Sequence, residues 1–300
     1  MALDYEQYLS DKLKYLYFDD ERYSELRKRI QSDKELIFAV RKDEIHIYYL
    51  GGRILKITKS NNRLRCSFDW KYAKKQKGSD ELNEYGDIIK NLNDNPYDVD
   101  LWIERFDILK LCMKNYREKI SHNDERQLQQ NLELENRDFN GEVVVLDNEY
   151  GVREIRSINS KLCKIDLVTL YQDSGKYNIC LVELKCGAGA IDGNAGIADH
   201  IDDFKVFLSK RKADIIASIN NLIEYKRLNN FLYNIPRDIK LSEDTEICVS
   251  ILCYDLPETQ RGKALALIEK SRENVTFDLH YNLRLERSSY KLTKKDILGE

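Results

Sequence analysis

The sequence lacks a long apolar run, and no two of its seven cysteines form a CxxC pair. Acidic residues are scattered through the N-terminal segment MALDYEQYLSDKLKYLYFDD, so we expect neither a signal peptide nor a membrane anchor there. No segment approaches the roughly 20 apolar residues that cross a bilayer. Several cysteines lie in apolar, strand-like segments. These features predict a cytoplasmic protein whose thiols are small core residues.

A strong excess of charge of either sign is also missing, because the net charge is only -3 over 300 residues. Total charge therefore gives no argument for binding nucleic acid. The segment from Arg53 to Lys77 is a local exception, with nine Lys or Arg residues, one Asp, and Phe68, Trp70 and Tyr72 interleaved. Such a segment is typical of a surface that follows a nucleic-acid backbone, and equally of the solvated face of a small sheet.

The first 120 residues alternate between helical and strand-like patterns. Apolar residues recur at three- and four-residue intervals over residues 4–31, 80–92 and 98–120. Between them, residues 36–70 are rich in strand formers and are interrupted by the turn signals RKDE, GG and KSNN. The pattern predicts an α+β module over residues 1–120 with an antiparallel meander of three or four strands. We place a domain boundary near Ser121 and expect this module to serve recognition, regulation or assembly.

Residues 121–300 have a different order of elements. A helical segment at 124–139 is followed by strand-like segments up to residue 186 and by a long helical region from about 197 to 232. The strand EICVSILCYD, a helix opened by Pro257 and the strand VTFDLHYNL complete the chain. This order predicts a mixed α/β (α+β) sheet with helices packed on its faces.

The segment KLCKIDLVTLYQDSGKYNICLVELKCG is predicted to form a β-hairpin with its turn between Ser174 and Gly175. Counting back equally from that turn places Asp166 directly opposite Glu183. Side chains alternate along a strand, so Lys185 projects from the same face as Glu183. The flanking residues are apolar, and two facing acids would suffer a large desolvation cost without compensation.

A divalent cation would compensate these two carboxylates, because Asp and Glu oxygens are ligands that Mg²⁺ prefers. An ammonium group beside a metal-bound water can position the nucleophile and offset charge on a phosphoryl transition state. The pattern therefore predicts metal-assisted hydrolysis of a phosphodiester. A cross-strand salt bridge with no catalytic role is the alternative, and it suits amphipathic edge strands better than these apolar ones.

Asp166 followed by Glu183-Leu184-Lys185 on a hairpin, after a helix and within an α-β-β-β-α-β order, resembles the PD-(D/E)xK nuclease superfamily. The resemblance covers about residues 121–283 and implies a restriction-endonuclease-like fold. It implies that Asp166 and Glu183 bind Mg²⁺, or Mn²⁺, together with the Leu184 carbonyl, and that Lys185 is catalytic. A glutamate on the preceding helix is common in the family, and Glu125 is the best match, ahead of Glu133 and Glu135.

The chain departs from the family pattern at two points. The proline that gives the family its name is absent, since Lys164 and Ile165 precede Asp166. The following helix, GIADHIDDFKVFL, has His200 where a glutamine is common. His200 is expected to contact substrate, as are three basic residues, Lys205, Lys210 and Arg211, although an exposed helix face would show the same basic pattern.

The resemblance implies a metal-dependent nuclease that hydrolyses DNA, in a bacterial defence or restriction-like setting. A homo-oligomer or a partner protein of a defence system is expected, and no membrane. No RNA-binding motif supports RNA as the substrate. The alternative function is that of a catalytically inactive nuclease-like fold that binds nucleic acid or a protein.

Overall fold

The computed structural model describes residues 4–5, 7–75, 80–119, 124–139, 142–153, 163–187, 191, 196–209, 212–236, 239–286 and 288–299. Contacts divide the chain into two compact units. The first unit comprises residues 7–130 and 225–231, and the second comprises residues 1–6, 131–224 and 232–300. The boundary expected near Ser121 lies outside the described residues.

The described helices and strands alternate along the chain. Up to residue 119 they are β1 (Asp4–Tyr5), α1 (Asp11–Lys14), α2 (Ser24–Ser32), β2 (Ile37–Val40), β3 (Ile45–Tyr49), β4 (Gly52–Ser60), β5 (Arg63–Ser67), α3 (Gly86–Asp94), α4 (Val99–Glu104) and α5 (Phe106–Lys119). From residue 124 they are α6 (Asp124–Glu135), β6 (Val143–Arg153), β7 (Cys163–Asp173), β8 (Lys176–Cys186), α7 (Ile197–Leu208), α8 (Lys212–Leu228), β9 (Ile247–Tyr254), α9 (Glu258–Arg272), β10 (Leu279–Leu285) and α10 (Lys294–Leu298).

The sheet of the first unit is a four-stranded antiparallel meander in the order β2-β3-β4-β5, which confirms the predicted meander. Two-residue turns join its strands. Each pair of turn residues has positive φ angles, a geometry that matches the twist of the flanking strands. These pairs are Lys42 and Asp43, Leu50 and Gly51, and Asn61 and Asn62. Local turn chemistry thus fixes the register of this sheet.

The basic segment from Arg53 to Lys77 is partly neutralised by nearby acids. Five of its lysines form ion pairs: Lys56 with Glu44, Lys59 with Asp43, Lys71 with Asp69, Lys74 with Asp80 and Lys75 with Glu81. Of the interleaved aromatic residues, Phe68 and Tyr72 are buried, and Trp70 is exposed. These contacts favour a solvated, ion-paired surface over a platform for stacking bases.

The second unit contains a six-stranded mixed sheet in the order β1-β6-β7-β8-β9-β10, which confirms the predicted mixed sheet flanked by helices. Strands β6, β7 and β8 are antiparallel, and β8, β9 and β10 are parallel. Leu181 packs in a core shared with apolar residues of α7, α8 and α9. The neighbouring Cys180 points to the other face of β8, toward Ile297 of α10. Helices therefore cover both faces.

Three predicted elements differ in extent. The helix expected over 98–120 is divided at Arg105 into α4 and α5. Of the two helices expected over 4–31, the first has only four α-helical residues, those of α1. The residues that follow, Tyr15–Asp19, form a π-helical turn instead. Strand β10 begins at Leu279, four residues later than the apolar pattern suggests. Apolar spacing marks the buried face of an element more reliably than its ends.

Within the described ranges, no helix combines the length and apolar character needed for a membrane span. Six cysteines in these ranges are free thiols, and five of them are buried, as expected for small core residues.

His46 on β3 is a buried titratable group in the first unit. Its ring lies 2.8 Å from a Glu44 oxygen and 3.2 Å from the Tyr48 hydroxyl. Burial lowers the pKa of His46 to about 4, from an ordinary value of 6.5. The nearby positive charges of Arg53 and Arg41 lower this pKa further, against the opposing effect of Glu44.

We expect stability to fall as the pH decreases from 6.5 toward 4, because the unfolded chain binds a proton there that folded His46 does not. This contribution is complete above pH 6.5 and amounts to at most about 3 kcal/mol. His46→Gln should flatten the dependence of the melting temperature on pH in this window. Equal slopes for wild type and His46→Gln would contradict the assignment.

Candidate functional site

The β7–β8 hairpin has the predicted register. Strand pairing runs from Asp173 opposite Lys176 to Leu167 opposite Val182. The connecting residues, Ser174 and Gly175, have φ angles of 48° and 81°, which define a tight two-residue turn. Continued by one more position, this register would bring Asp166 opposite Glu183, but the pairing ends at Leu167 and Val182.

The two strands diverge immediately beyond the pair Leu167 and Val182. Strand β7 remains paired with β6, where Ile165 lies opposite Tyr150, and β8 remains paired with β9, where Lys185 lies opposite Cys253. The backbone N–H of Leu184 instead donates to Oδ2 of Asp166 at 2.7 Å. A carboxylate thus takes the place of a backbone acceptor at the divergence.

Glu183 lies in a buried group of charged and polar side chains. Its Oε1 accepts a hydrogen bond from Nζ of Lys185 at 2.7 Å and lies 3.1 Å from Nδ1 of His200. Glu183 is 2% exposed and Lys185 is 6% exposed. His200 reaches Glu183 from the first turn of α7, which begins at Ile197. The structure therefore brings together Glu183, Lys185 and His200, and Asp166 contacts the backbone of Leu184 between the first two.

Burial makes this ion pair expensive. Removing two charges from water costs several kcal/mol per ion, and their attraction repays this only with good geometry and further hydrogen bonds. Apolar side chains of similar volume are often equally stable or more stable at such positions. Stability alone is therefore a weak explanation for the burial of Glu183 and Lys185.

Asp166 and Glu183 carry the type of donor atom that a hard divalent cation prefers. Both residues offer carboxylate oxygens; Asp166 is half-buried and Glu183 is buried. A strand residue directs its N–H and C=O toward the same neighbour, so we expect the Leu184 carbonyl to face the gap beside Asp166. Among the described residues, no group of three or more His, Cys, Asp or Glu side chains is arranged to hold a metal. Two carboxylates with water and a carbonyl are nevertheless a usual Mg²⁺ environment.

The expected glutamate on the preceding helix stays a prediction. Glu125 is exposed and belongs to the part of α6 in the first unit. In the second unit, Glu133 on α6 is 3% exposed and accepts a hydrogen bond from Nδ2 of Asn148 on β6 at 2.5 Å. Sequence reasoning missed Asn148, and the only signal for it was the polar pair Asp147-Asn148 inside the apolar strand EVVVLDNEYG.

The substrate contacts expected from Lys205, Lys210 and Arg211 also stay predictions. Lys205 pairs with Asp202 on the same helix at 2.7 Å. Lys210 and Arg211 lie outside the described residues.

Comparison with known proteins adds no identification. No family model matches the chain, and no match was found among curated proteins or among solved structures.

The buried pair Glu183 and Lys185 should show strong energetic coupling. Glu183→Gln or Lys185→Met alone leaves one buried charge uncompensated, so we expect each to lower the free energy of unfolding by about 3 kcal/mol. The double variant should lose less than the sum of the two, because no unpaired charge remains. Urea denaturation of the four proteins measures this coupling.

A matched control is available on the same strand. Lys176 and Asp244 form an ion pair at 3.2 Å, but their side chains are 68% and 64% exposed. The cycle made from Lys176→Met and Asp244→Asn should show no measurable coupling. Additive effects of Glu183→Gln and Lys185→Met would contradict a tight buried pair.

Proposed function

We propose that the second unit is a metal-dependent nuclease domain that hydrolyses phosphodiester bonds in DNA. The observation that carries this proposal lies where β7 and β8 separate: Asp166 accepts from the N–H of Leu184, and the flanking Glu183 and Lys185 form a buried ion pair. Two acids and a lysine in this setting supply metal ligands and a cation for phosphoryl transfer.

The order of elements supports a restriction-endonuclease-like fold for the second unit. Helix α6 precedes the antiparallel strands β6, β7 and β8, and α7 follows them. Strands β9 and β10 then extend the sheet in parallel with β8. This arrangement resembles that of the PD-(D/E)xK superfamily, whose acid, acid and lysine correspond to Asp166, Glu183 and Lys185.

In this proposal different residues of the chain have different roles in hydrolysis. Asp166, Glu183 and the Leu184 carbonyl would hold Mg²⁺ or Mn²⁺, which when bound polarises the phosphodiester and lowers the pKa of water. Lys185 is held by Glu183 on the same strand, so its ammonium group is positioned beside the Glu183 carboxylate. There it can orient the attacking water and offset negative charge on the phosphate.

His200 is proposed as a positioning residue. Its Nδ1 lies 3.1 Å from Oε1 of Glu183, where a proton on Nδ1 would orient the carboxylate, as outer hydrogen bonds commonly do for metal-binding carboxylates. A role in bacterial defence or restriction is proposed on the family resemblance alone, and a cytoplasmic location on the cysteine pattern; a homo-oligomer or a partner protein is proposed with them. Residues 1–120 would then serve recognition, regulation or assembly.

Cleavage assays test the nuclease proposal. Plasmid, linear and single-stranded DNA and RNA are incubated with the protein and Mg²⁺, Mn²⁺ or EDTA. We expect metal-dependent cleavage of DNA, and a rate about 100-fold lower for Lys185→Met, because a charge that stabilises the transition state is lost. Lys176→Met, at the exposed start of the same strand, should cleave at the wild-type rate.

Cleavage that persists in EDTA, or that is unchanged in Lys185→Met, would exclude this mechanism. A folded wild-type protein that binds DNA or a protein without cleaving any substrate would favour the catalytically inactive, nuclease-like alternative. The existing ion pair between Lys185 and Glu183 gives that alternative its structural basis.

Substitution of His200 separates positioning from a purely structural contact. His200→Ala should lower kcat about tenfold, because the Glu183 carboxylate loses a neighbour that orients it. His200→Gln retains an N–H donor and should restore most of the rate. Steady-state kinetics measure kcat for both variants, and equal melting temperatures show that both are folded. Equal rates for the two variants would exclude the positioning role.

A further inference from the structure

A cleft of about 720 Å³ lies along β10, the last strand of the sheet in the described part of the second unit. Residues of α9 and of the α10 region line it on either side of the strand. Four of its lining side chains are cationic: Arg261, Arg272, Arg284 and Lys295. Asp296 is the acidic residue of this lining. None of these residues belongs to the site around Glu183.

Two of the charged residues already have structural roles. Asp296 accepts hydrogen bonds from the backbone N–H and the hydroxyl of Thr293, which cap α10. Arg272 pairs with Glu269 and donates to the carbonyl oxygen of Leu279, each at 2.7 Å. These contacts hold the walls of the cleft in place.

Arg261 and Arg284, unlike Arg272 and Asp296, have no such structural contacts from their charged groups in the part of the chain that the structure describes. The Nε atom of Arg261 is buried and has no hydrogen-bond partner among the described residues. Arg284 is exposed, and within the described ranges neither arginine forms an ion pair with an acid. A guanidinium that lines a cleft and has no acidic partner suits an anionic ligand that accepts several hydrogen bonds.

An added peptide strand is a poorer occupant, although β10 is the last strand of the sheet. The N–H of Arg284 donates to Oδ1 of Asn282, and the carbonyl of Leu279 accepts from Arg272. The carbonyl oxygen of Tyr281 lies close to Gly299. A Cβ atom added to Gly299 would be only 3.0 Å from this oxygen. Much of the edge backbone is therefore occupied or covered, so the cationic side chains determine what binds.

We propose that this cleft binds a phosphate-bearing ligand of nucleotide size through Arg261 and Arg284. Guanidinium groups match phosphate oxygens in charge and geometry, and the cleft volume lies within the usual range for small-molecule sites. A free nucleotide and the end of a single nucleic-acid strand carry this same chemistry. The proposal does not depend on the nuclease assignment.

Binding measurements test the cleft. Titration calorimetry with ATP and with a 5′-phosphorylated oligothymidylate should show binding to wild type that weakens with salt. The double variant Arg261→Gln/Arg284→Gln should bind at least about tenfold more weakly, because charge-assisted hydrogen bonds are lost. Lys270→Gln, an exposed charge on α9 outside the cleft, should leave affinity unchanged.

Gly262 allows an independent steric test that removes no charge. It lines the cleft on α9, and a Cβ atom there would meet no other atom within 4 Å. Gly262→Phe should fill part of the cleft and abolish binding, while Gly262→Ala should retain it and keep the helix stable. Circular dichroism and melting temperatures establish that each variant is folded.

Binding of ATP alone would identify a nucleotide site, and binding of the oligothymidylate alone would identify a strand-end site. Failure of wild type to bind either ligand at millimolar concentration would overturn the proposal. Binding that survives both the double variant and Gly262→Phe would overturn it as well, because the ligand would then lie elsewhere.

Discussion

The divergence of β7 from β8 is the constraint on which the candidate site depends. Each strand keeps one partner beyond Leu167 and Val182, so the sheet continues on both sides of a local gap. A gap in a ladder leaves backbone groups without acceptors, and the Asp166 carboxylate satisfies the N–H of Leu184. One aspartate thus both completes the backbone hydrogen bonding and presents oxygen atoms at the gap.

The charged groups around that gap depend on one another for their stability. Glu183 would be costly at 2% exposure without the ammonium of Lys185 and the imidazole of His200, which lie within 3.1 Å of its Oε1. Two of these three groups come from one strand, whose alternation places them on one face. The third comes from the first turn of α7 and ties that helix to the carboxylate. The fold therefore places the Glu183 carboxylate and the two groups that compensate its charge at the same point of the sheet.

Much of this site could be predicted from the sequence, because its geometry is local. A two-residue turn at Ser174 and Gly175 fixes the hairpin register, and strand alternation then places Lys185 beside Glu183. The hydrogen bond from Asn148 to Glu133 could not be predicted, since it depends on how α6 packs against β6. The cleft likewise joins Arg261 and Arg284 through the packing of α9 against β10. Spacing along one strand carries no information about such contacts.

The parallel half of the sheet relates the cleft to the candidate metal site. Strands β8, β9 and β10 run in the same direction, so their carboxyl ends share one edge of the sheet. Lys185 lies opposite Cys253, and Leu285 lies opposite the adjacent Tyr254. Neighbouring strands are about 4.8 Å apart, which puts the end of β10 about 10 Å from β8. The same topology that delivers Glu183 and Lys185 to this edge therefore delivers Arg284 to it, so groups suited to phosphate lie at both positions.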